Sequence, residues 1–275
     1  MTITSLVENT SAMGLPVEHG LSLYIRLEDG RNVLFDMGQG TLFAENAERL
    51  GLRIADVDLA VISHGHYDHG GGLRTFLTLN DHARVFVHQE AFQPHFSLHE
   101  DGLHDIGLDT RLRDAKRLAV CSELTVIDEA MTLFAGVAGT CCRPRGNSRL
   151  LGPTPAMEDT FCHEQSLLVR EGSSVVLLAG CAHCGIVNIV DQATALAGVP
   201  PTHVLAGMHL VNSGLSKDDD TAFIQSLAHE LDRYPDTQFI TMHCTGIEGY
   251  AKLKALLGHR ISYLSCGDMC RIGGA

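Results

Sequence analysis

Short apolar runs bounded by polar residues and glycines recur along the chain and predict β-strands. They cover residues 21–27, 32–35, 59–62, 84–87, 174–178, 203–205 and 238–242. Because strands pair early in the chain and alternate with helices later, we expect an α/β fold. Two packed sheets with helices on their outer faces would satisfy this pattern.

Helical patterns lie between some of the strands. In 221–234, apolar residues recur on one face, and Asp218-Asp219-Asp220 supplies acidic capping at its start. Residues 185–196 and 246–257 also predict helices, the second ending at Gly258.

We expect one domain over residues 1–275, with two irregular segments near 89–116 and 136–163. Both are rich in residues that break regular structure, and long irregular segments in compact domains commonly serve function. We therefore interpret them as loops around an active-site mouth.

Composition narrows the function classes. The net charge of −13 disfavours nucleic acid and anionic membrane surfaces. The start has no secretion signal and no apolar stretch is long enough to span a bilayer, so we expect a soluble, cytoplasmic protein. The nine cysteines are odd in number and unevenly spaced, which favours reduced thiols. Sixteen histidines point to metal, since imidazole is a common ligand.

The strongest chemical signal follows the strand at 59–62, where the chain reads Ser63-His64-Gly65-His66-Tyr67-Asp68-His69. A buried strand fixes the backbone, and the turn lets the four ligand-type side chains converge. His64 and His66 can hold one cation, and Asp68 with His69 a second. This mixture of nitrogen and oxygen ligands suits zinc and leaves room for water.

This H-x-H-x-D-H pattern, with Gly70-Gly71-Gly72 behind it, resembles the metallo-β-lactamase fold family. The resemblance implies a four-layer αββα sandwich with one or two metals at the sheet edges. It also implies that Asp36 orients a ligand histidine, that Cys181 lies at a ligand position, and that His243 is the last ligand. Asp68 would also take part in catalysis.

Most members of this family place a third histidine for the first metal just before the strand at 164–167, where this chain offers only Asp159, Thr160 and His163. We prefer His183, which directly follows a buried strand, and keep His163 as the alternative.

Several segments together are similar to the subgroup of 7,8-dihydropterin-6-yl-methyl-4-(β-D-ribofuranosyl)aminobenzene 5'-phosphate synthase-like proteins. They are Glu8-Asn9, His19-Gly20-Leu21-Ser22, Glu164-Gln165-Ser166-Leu167, Gly180-Cys181-Ala182-His183, Gly207-Met208-His209-Leu210 and His243-Cys244-Thr245-Gly246. They indicate the subgroup without identifying a substrate.

Four further residues are candidates for contact with substrate. His209 lies between two ligand-bearing strand ends, where a proton donor would belong, although a buried core histidine is an equal interpretation. His19 and Glu164 are candidate substrate-binding residues within the subgroup segments. Arg145, in a loop with Arg143 and Arg149, suits phosphate or carboxylate, or is simply a solvated charge.

Some cysteines allow other interpretations. Cys181-Ala182-His183-Cys184 is a C-x-x-C, which can signal redox exchange. Cys266 and Cys270 with Cys141-Cys142 could build a structural zinc, although buried inert thiols are the simpler interpretation.

We therefore expect a hydrolase with two divalent metal ions, zinc first, with manganese or iron as alternatives. It would cleave a phosphoester or related ester of a small pterin- or nucleotide-like substrate through a metal-bound hydroxide. An iron-binding oxidoreductase of the same fold and a metal-dependent sensor without turnover are the alternatives. The expected partner is a small molecule, and a homo-oligomer is left open.

Overall fold

The computed structural model describes residues 1–211 and 217–273, without the side chains of 217–219. The first sheet has seven strands in the order β17-β1-β2-β3-β4-β5-β8. Their bounds are β1 (Thr2–Val7), β2 (Ser22–Arg26), β3 (Asn32–Phe35), β4 (Leu59–Val61), β5 (Arg84–His88), β8 (Leu118–Cys121) and β17 (Met269–Arg271).

The second sheet also has seven strands, in the order β16-β15-β14-β13-β12-β10-β9. Their bounds are β9 (Leu124–Val126), β10 (Met131–Phe134), β12 (Ser166–Glu171), β13 (Ser174–Leu178), β14 (His203–Ala206), β15 (Gln238–Thr241) and β16 (Ile261–Tyr263). In each sheet four consecutive strands run parallel, β3-β4-β5-β8 and β13-β14-β15-β16.

Within the described residues there are six α-helices, and all except the short α2 cover the outer faces of the two sheets. They are α1 (Leu42–Arg49), α2 (Tyr67–Gly70), α3 (Leu73–Leu79), α4 (Ile186–Ala197), α5 (Lys217–Leu231) and α6 (Gly246–Leu257). One apolar cluster packs between the sheets, a second joins α1 and α3 to the first sheet, and a third joins α4, α5 and α6 to the second. This is the expected αββα sandwich.

The parallel strands place the candidate site, because their carboxyl ends meet at one edge of the sandwich. Asp36 follows β3, and the turn 63–69 follows β4. The turn 180–185 follows β13, His209 lies just beyond β14, and His243 lies just beyond β15. The chain therefore brings candidate ligands together from positions up to about 200 residues apart.

A third, three-stranded sheet lies where we expected irregular loops. Its order is β11-β6-β7, and its strands are β6 (Phe96–His99), β7 (Gly102–Asp105) and β11 (Leu150–Leu151). The interpretation of 89–116 and 136–163 as wholly irregular was therefore wrong. These strands are short and mostly exposed, so their sequences lack the alternation of buried apolar residues that predicts a strand. We call these strands the wall sheet.

The predicted strands and helices otherwise agree with the structure. α6 has the predicted bounds, while α5 begins at Lys217 and ends at Leu231, three residues before the predicted end. The proposed acidic cap falls partly on Asp218 and Asp219, whose side chains lie outside the described residues. Among the described helices, none has the length and apolarity that crossing a membrane requires.

Candidate metal centre

The turn after β4 is anchored from beneath by Asp36. Its Oδ1 accepts the backbone N–H of Ser63 at 2.7 Å, and its Oδ2 accepts the Ser63 hydroxyl at 2.7 Å. The glycines behind the turn allow close packing, because a Cβ at Gly71 would lie 2.3 Å from the carbonyl oxygen of Gln39. Asp36 and the glycines thus hold the backbone of the turn, from which the candidate ligand side chains project, in one position.

His64, His66 and His183 form the first ligand group. They offer one ligand atom each, and these atoms lie within 4.8 Å of one another. All three Nε2 atoms are buried and find no hydrogen-bond partner within the described part of the chain. Burial lowers the pKa of each imidazole well below its usual value, so the rings are neutral. Converging, unpaired nitrogens of this kind suit a cation, because leaving a buried polar atom unpaired costs about 1–3 kcal/mol.

Hydrogen bonds at the opposite ring nitrogens determine which nitrogen carries the lone pair. The Ser63 hydroxyl donates to Asp36, so its oxygen accepts from His64 Nδ1 at 2.9 Å. His183 Nδ1 donates to Asn147 Oδ1, also at 2.9 Å. Both Nε2 atoms therefore carry lone pairs, which is the arrangement that a metal-binding imidazole needs.

His163 has the reverse arrangement. Its Nδ1 accepts the backbone N–H of Gly65 at 2.9 Å, so its proton lies on Nε2, which donates to Asp159 at 3.1 Å. A nitrogen that carries a proton cannot bind a metal. The geometry therefore favours His183 over His163 as the third ligand of the first group.

Asp68, His69 and His243 form the second ligand group. The Nε2 atoms of His69 and His243 are 3.2 Å apart, and Asp68 Oδ2 lies 3.6 Å and 3.3 Å from them respectively. Cys181 Sγ lies 3.2 Å from His69 Nε2. Carboxylate, imidazole and thiol thus meet at one point, as the predicted second metal site requires.

The second ligand group is built to hold positive charge. Burial disfavours the His69 imidazolium, but Asp68 and Asp36 outweigh burial and raise the pKa of His69 to about 9. Burial would likewise raise the pKa of Asp68, but His69 and His243 hold it well below its usual range. His69 Nδ1 contacts Asp36 Oδ2 at 2.7 Å, and His243 Nδ1 donates to Asn9 Oδ1 at 2.8 Å. These bonds aim both Nε2 atoms at the shared point.

Strained backbone surrounds the two groups. Asp36, Ala182, His209 and His243 all have positive φ, between 45° and 61°, although none is glycine. Such conformations cost of order 1–3 kcal/mol each and persist where the surrounding structure holds them. All four lie just beyond carboxyl ends of strands, so the strain is concentrated at the candidate site.

A cavity of about 330 Å³ opens over both ligand groups. The wall sheet and the 3₁₀ turn 145–149 form its other side, with Leu98, Leu150 and Arg149. His19 and His209 also line it. His19 Nε2 faces Asp68 Oδ2 at 3.3 Å, and His209 Nδ1 is buried without a hydrogen-bond partner among the described residues.

Two predicted substrate-binding residues lie elsewhere. Glu164 is buried under the turn after β13, where its carboxylate accepts the backbone N–H groups of His183 at 2.7 Å and Cys184 at 2.8 Å. Arg145 lines a separate cavity of about 360 Å³, with its guanidinium over the Phe223 ring. These locations do not support either residue as a substrate contact. The sequence could not show this, because periodicity does not tell which way a loop side chain points.

Sequence reasoning named Arg149 and Glu8 but placed neither of them at the site. Arg149, four residues after Arg145, is the arginine that lines the main cavity. Glu8 accepts the backbone N–H of His243 at 2.7 Å and the Tyr263 hydroxyl at 2.6 Å. The sequence offered one signal for the contacts of Glu8 and Asn9 with His243, namely that the Glu8-Asn9 segment is a feature of the subgroup.

The remaining cysteines do not form the alternative sites. All nine thiols are free. Cys184 is buried, and its Sγ lies 3.8 Å from the Phe161 carbonyl oxygen. Cys141 and Cys142 pack on the helix side of the second sheet, whereas Cys266 contacts the Leu6 carbonyl in the first sheet. These positions separate the four thiols proposed for a structural zinc.

Comparisons with known proteins agree with this fold. Residues 15–134 match the family model described as the metallo-beta-lactamase superfamily. An uncharacterized protein of Methanocaldococcus jannaschii, MJ0448, is 28% identical over 92% of this chain and 94% of its own length. The same organism's 7,8-dihydropterin-6-methyl-4-(beta-D-ribofuranosyl)-aminobenzene-5'-phosphate synthase is 24% identical, over 90% of this chain and 88% of its own.

Among solved structures, Tm1679 is described as a metal-dependent hydrolase of the beta-lactamase superfamily. It superposes with a TM-score of 0.81 and 27% identity, and the match covers 100% of both chains. The similarity therefore includes the second sheet and the turns after β13 and β15, beyond the part that the family model matches.

Proposed function

Because the chain belongs to the metallo-β-lactamase superfamily, we propose that it is a metal-dependent hydrolase whose two ligand groups each hold one divalent cation. One observation carries this proposal. One ring nitrogen from each histidine of the first ligand group lies within 4.8 Å of the others, and all three Nε2 atoms are buried without partners in the described structure. In the second group, a carboxylate, two imidazoles and the Cys181 thiol meet around a point that favours positive charge.

The donor set fits zinc best, and manganese or iron are the alternatives. When bound, such cations lower the pKa of water to about 7 and stabilise developing negative charge. The protein contributes position and protons. The Nδ1 contacts of His64, His69 and His243 orient the ligands, and Asp68 lies at the cavity floor.

We assign His209 to the leaving group as proton donor. Its ring lies 4.5 Å from that of His183 and borders the cavity, and its Nδ1 has no competing partner among the described residues. His19 is a substrate contact at the rim, where its Nε2 donates to Asp68 at 3.3 Å. Both roles require only groups that already face the cavity.

The substrate that we propose is a small phosphoester with a planar, pterin- or nucleotide-like body. The volume of about 330 Å³ suits a small molecule. Leu98, Ile106 and Leu150 offer an apolar surface to the body, and Arg149 offers a guanidinium to an anion. The name of the 24% identical synthase, with its dihydropterin and phosphate, supports the same class.

The test measures metal content and hydrolysis together. Purified protein would be stripped with chelator, reloaded with zinc, manganese or iron, and assayed with aryl phosphate monoesters, diesters and carboxylic esters. We expect two cations per chain and hydrolysis of a phosphoester. His66→Ala and Asp68→Ala should each lose metal and activity, while the exposed His82→Ala should lose neither.

Three outcomes would contradict the proposal. Undiminished metal content and activity in His66→Ala and Asp68→Ala would show that these residues are not metal ligands. A coloured iron site without hydrolysis of any ester would favour the oxidoreductase, and retained metal with no turnover on any substrate would favour a sensor.

A further inference from the structure

A second buried cluster lies beside the first ligand group. Asp159 Oδ2 contacts His95 Nδ1 and His163 Nε2, each at 3.1 Å, and its Oδ1 accepts the backbone N–H of Phe161 at 2.7 Å. The Asp159 side chain is only 3% exposed. Burial would raise its pKa, but the hydrogen bonds from His163 and His95 hold it well below its usual range. Asp159 is therefore a buried carboxylate with several donors around it.

This cluster reaches the metal-binding turn through His163. Its Nδ1 accepts the backbone N–H of Gly65, the residue between His64 and His66. The approach is close, because a Cβ at Gly65 would lie 2.4 Å from the Ala91 carbonyl oxygen and 2.6 Å from His95 Nε2. The turn is thus held by a hydrogen bond and by direct packing.

The cluster has the composition of a zinc site but not the protonation. Ligand atoms of His66, His95, Asp159 and His163 lie within 4.8 Å of one another. Because His163 Nδ1 accepts from Gly65, the His163 proton must lie on Nε2, where it faces Asp159. A cation bound to His163 Nε2 would displace the proton from that nitrogen. The neutral ring would then carry its proton on Nδ1, which already accepts the Gly65 N–H. The ring nitrogens of His163 and the carboxylate of Asp159 are satisfied by hydrogen bonds alone, whereas the Nε2 atoms of His66 and His95 are buried without a hydrogen-bond partner among the described residues.

The cluster is also attached to the wall sheet. His95 immediately precedes β6, and its carbonyl oxygen accepts the N–H of Ile106, whose own carbonyl oxygen accepts the N–H of Tyr67. On the other edge, the N–H of Asp159 donates to the Leu150 carbonyl oxygen in β11 at 3.1 Å. Asp159 therefore connects the edge strand β11 directly, and the start of the central strand β6 through His95, with the turn that carries the first ligands.

We propose that Asp159, His95 and His163 form a metal-free clamp that sets the distance between the metal-binding turn and the substrate-facing wall sheet. The three are positioning residues for the cavity. The functional consequence rests on the proposed metal centre, whereas the clamp itself is a property of the chain alone.

The first experiment tests the clamp without metal. Hydrogen exchange of the Gly65 amide would be followed in chelator-treated wild type, His163→Leu and His163→Gln. Leucine removes the acceptor, whereas glutamine retains an acceptor and a donor. We expect exchange at least tenfold faster in His163→Leu and partial recovery in His163→Gln. Unchanged Gly65 protection in His163→Leu would overturn the clamp.

The second experiment separates a clamp from a metal ligand. Asp159→Asn would be compared with Asp101→Asn, which alters an exposed His–Asp contact on the same wall sheet. We expect Asp159→Asn to bind the same number of zinc ions as wild type, with about tenfold weaker affinity and an altered cobalt(II) absorption spectrum. Asp101→Asn should match wild type. Loss of one metal equivalent in Asp159→Asn would overturn the clamp in favour of a third metal site.

The two proposals fail differently. If wild type binds no cation, the proposed function is wrong, but the Gly65 exchange comparison still decides the clamp. If wild type binds two cations and both experiments show no effect of the variants, the clamp is wrong and the metal centre stands.

Discussion

Asp36→Asn is the sharpest test of how the metal centre is supported. The Asp36 carboxylate accepts three buried donors: the Ser63 N–H, the Ser63 hydroxyl and His69 Nδ1. Asparagine has nearly the same shape and tolerates the positive φ of 61° at this position, so the backbone need not move. The change therefore alters hydrogen bonding and charge while it preserves volume.

The magnitude follows from counting donors. An asparagine amide replaces one acceptor oxygen with an N–H donor. If that group faces Ser63, the buried Ser63 N–H loses its acceptor, at a cost of about 1–3 kcal/mol. If it faces His69, the proton of His69 moves to Nε2 and blocks the metal-facing lone pair. Loss of such supporting contacts lowers metal affinity by about 10–100-fold, which corresponds to about 1.4–2.7 kcal/mol.

Two measurements check this expectation. Urea unfolding of metal-free protein gives the stability change, and competition with a chromophoric chelator gives the zinc affinity. The control is Asp58→Asn, because exposed Asp58 accepts one backbone N–H, from Asn32 at 2.7 Å, away from the cavity. Zinc affinity in Asp36→Asn within twofold of wild type would refute the reasoning.

Three further predictions follow from the geometry. His183→Ala should lose one zinc equivalent and His163→Ala none, measured by metal analysis after dialysis; the opposite result would exchange their roles. Arg149→Gln should raise KM at least fivefold for substrates with an anionic group on the body and leave neutral substrates unchanged. Arg145→Gln should change neither, and equal effects in both variants would contradict the assignment of the cavity. Metal-free protein should be most stable in urea near pH 6.5. Burial lowers the pKa of each histidine in the first ligand group. As the pH falls below about 6.5, the pKa of histidine in the unfolded chain, each of them therefore lowers the free energy of unfolding by up to about 1.4 kcal/mol per pH unit. His69, with its pKa raised to about 9, stabilises the fold fully below 6.5 and loses this contribution as pH rises through 9; a stability that climbs steadily from pH 6 to 9 would contradict this account.

The sequence predicted six of the eight parallel strands and the position of the turn that carries the first candidate ligands. Residues 59–62 are uninterrupted and apolar, so both the strand β4 and the turn after it could be predicted. β1 was missed because its Thr and Ser residues interrupt the apolar pattern, although the strand is almost wholly buried. The edge strands β16 (Ile-Ser-Tyr) and β17 (Met-Cys-Arg) were also missed, because each is short and lacks the uninterrupted aliphatic run that marks β4.

The choice between His163 and His183 shows what spacing cannot provide. It depends on which ring nitrogen holds a proton, and that depends on Gly65 and Asn147, which lie elsewhere along the chain. Likewise, Arg145 and Arg149 occupy one short cationic segment, yet they line different cavities. In both cases, contacts between residues far apart in the sequence determine the role of the side chain.

The wall sheet has a consequence for engineering. Its strands come from two insertions, one between β5 and β8 and one between β10 and β12, while the ligands of both groups come from the carboxyl ends of other strands. A designer could therefore exchange the insertions for those of a relative and alter selectivity without touching the reacting groups. Such a graft must bring compatible partners for Gly65 with it, or the transplanted surface will lie at the wrong distance from the two proposed ligand groups.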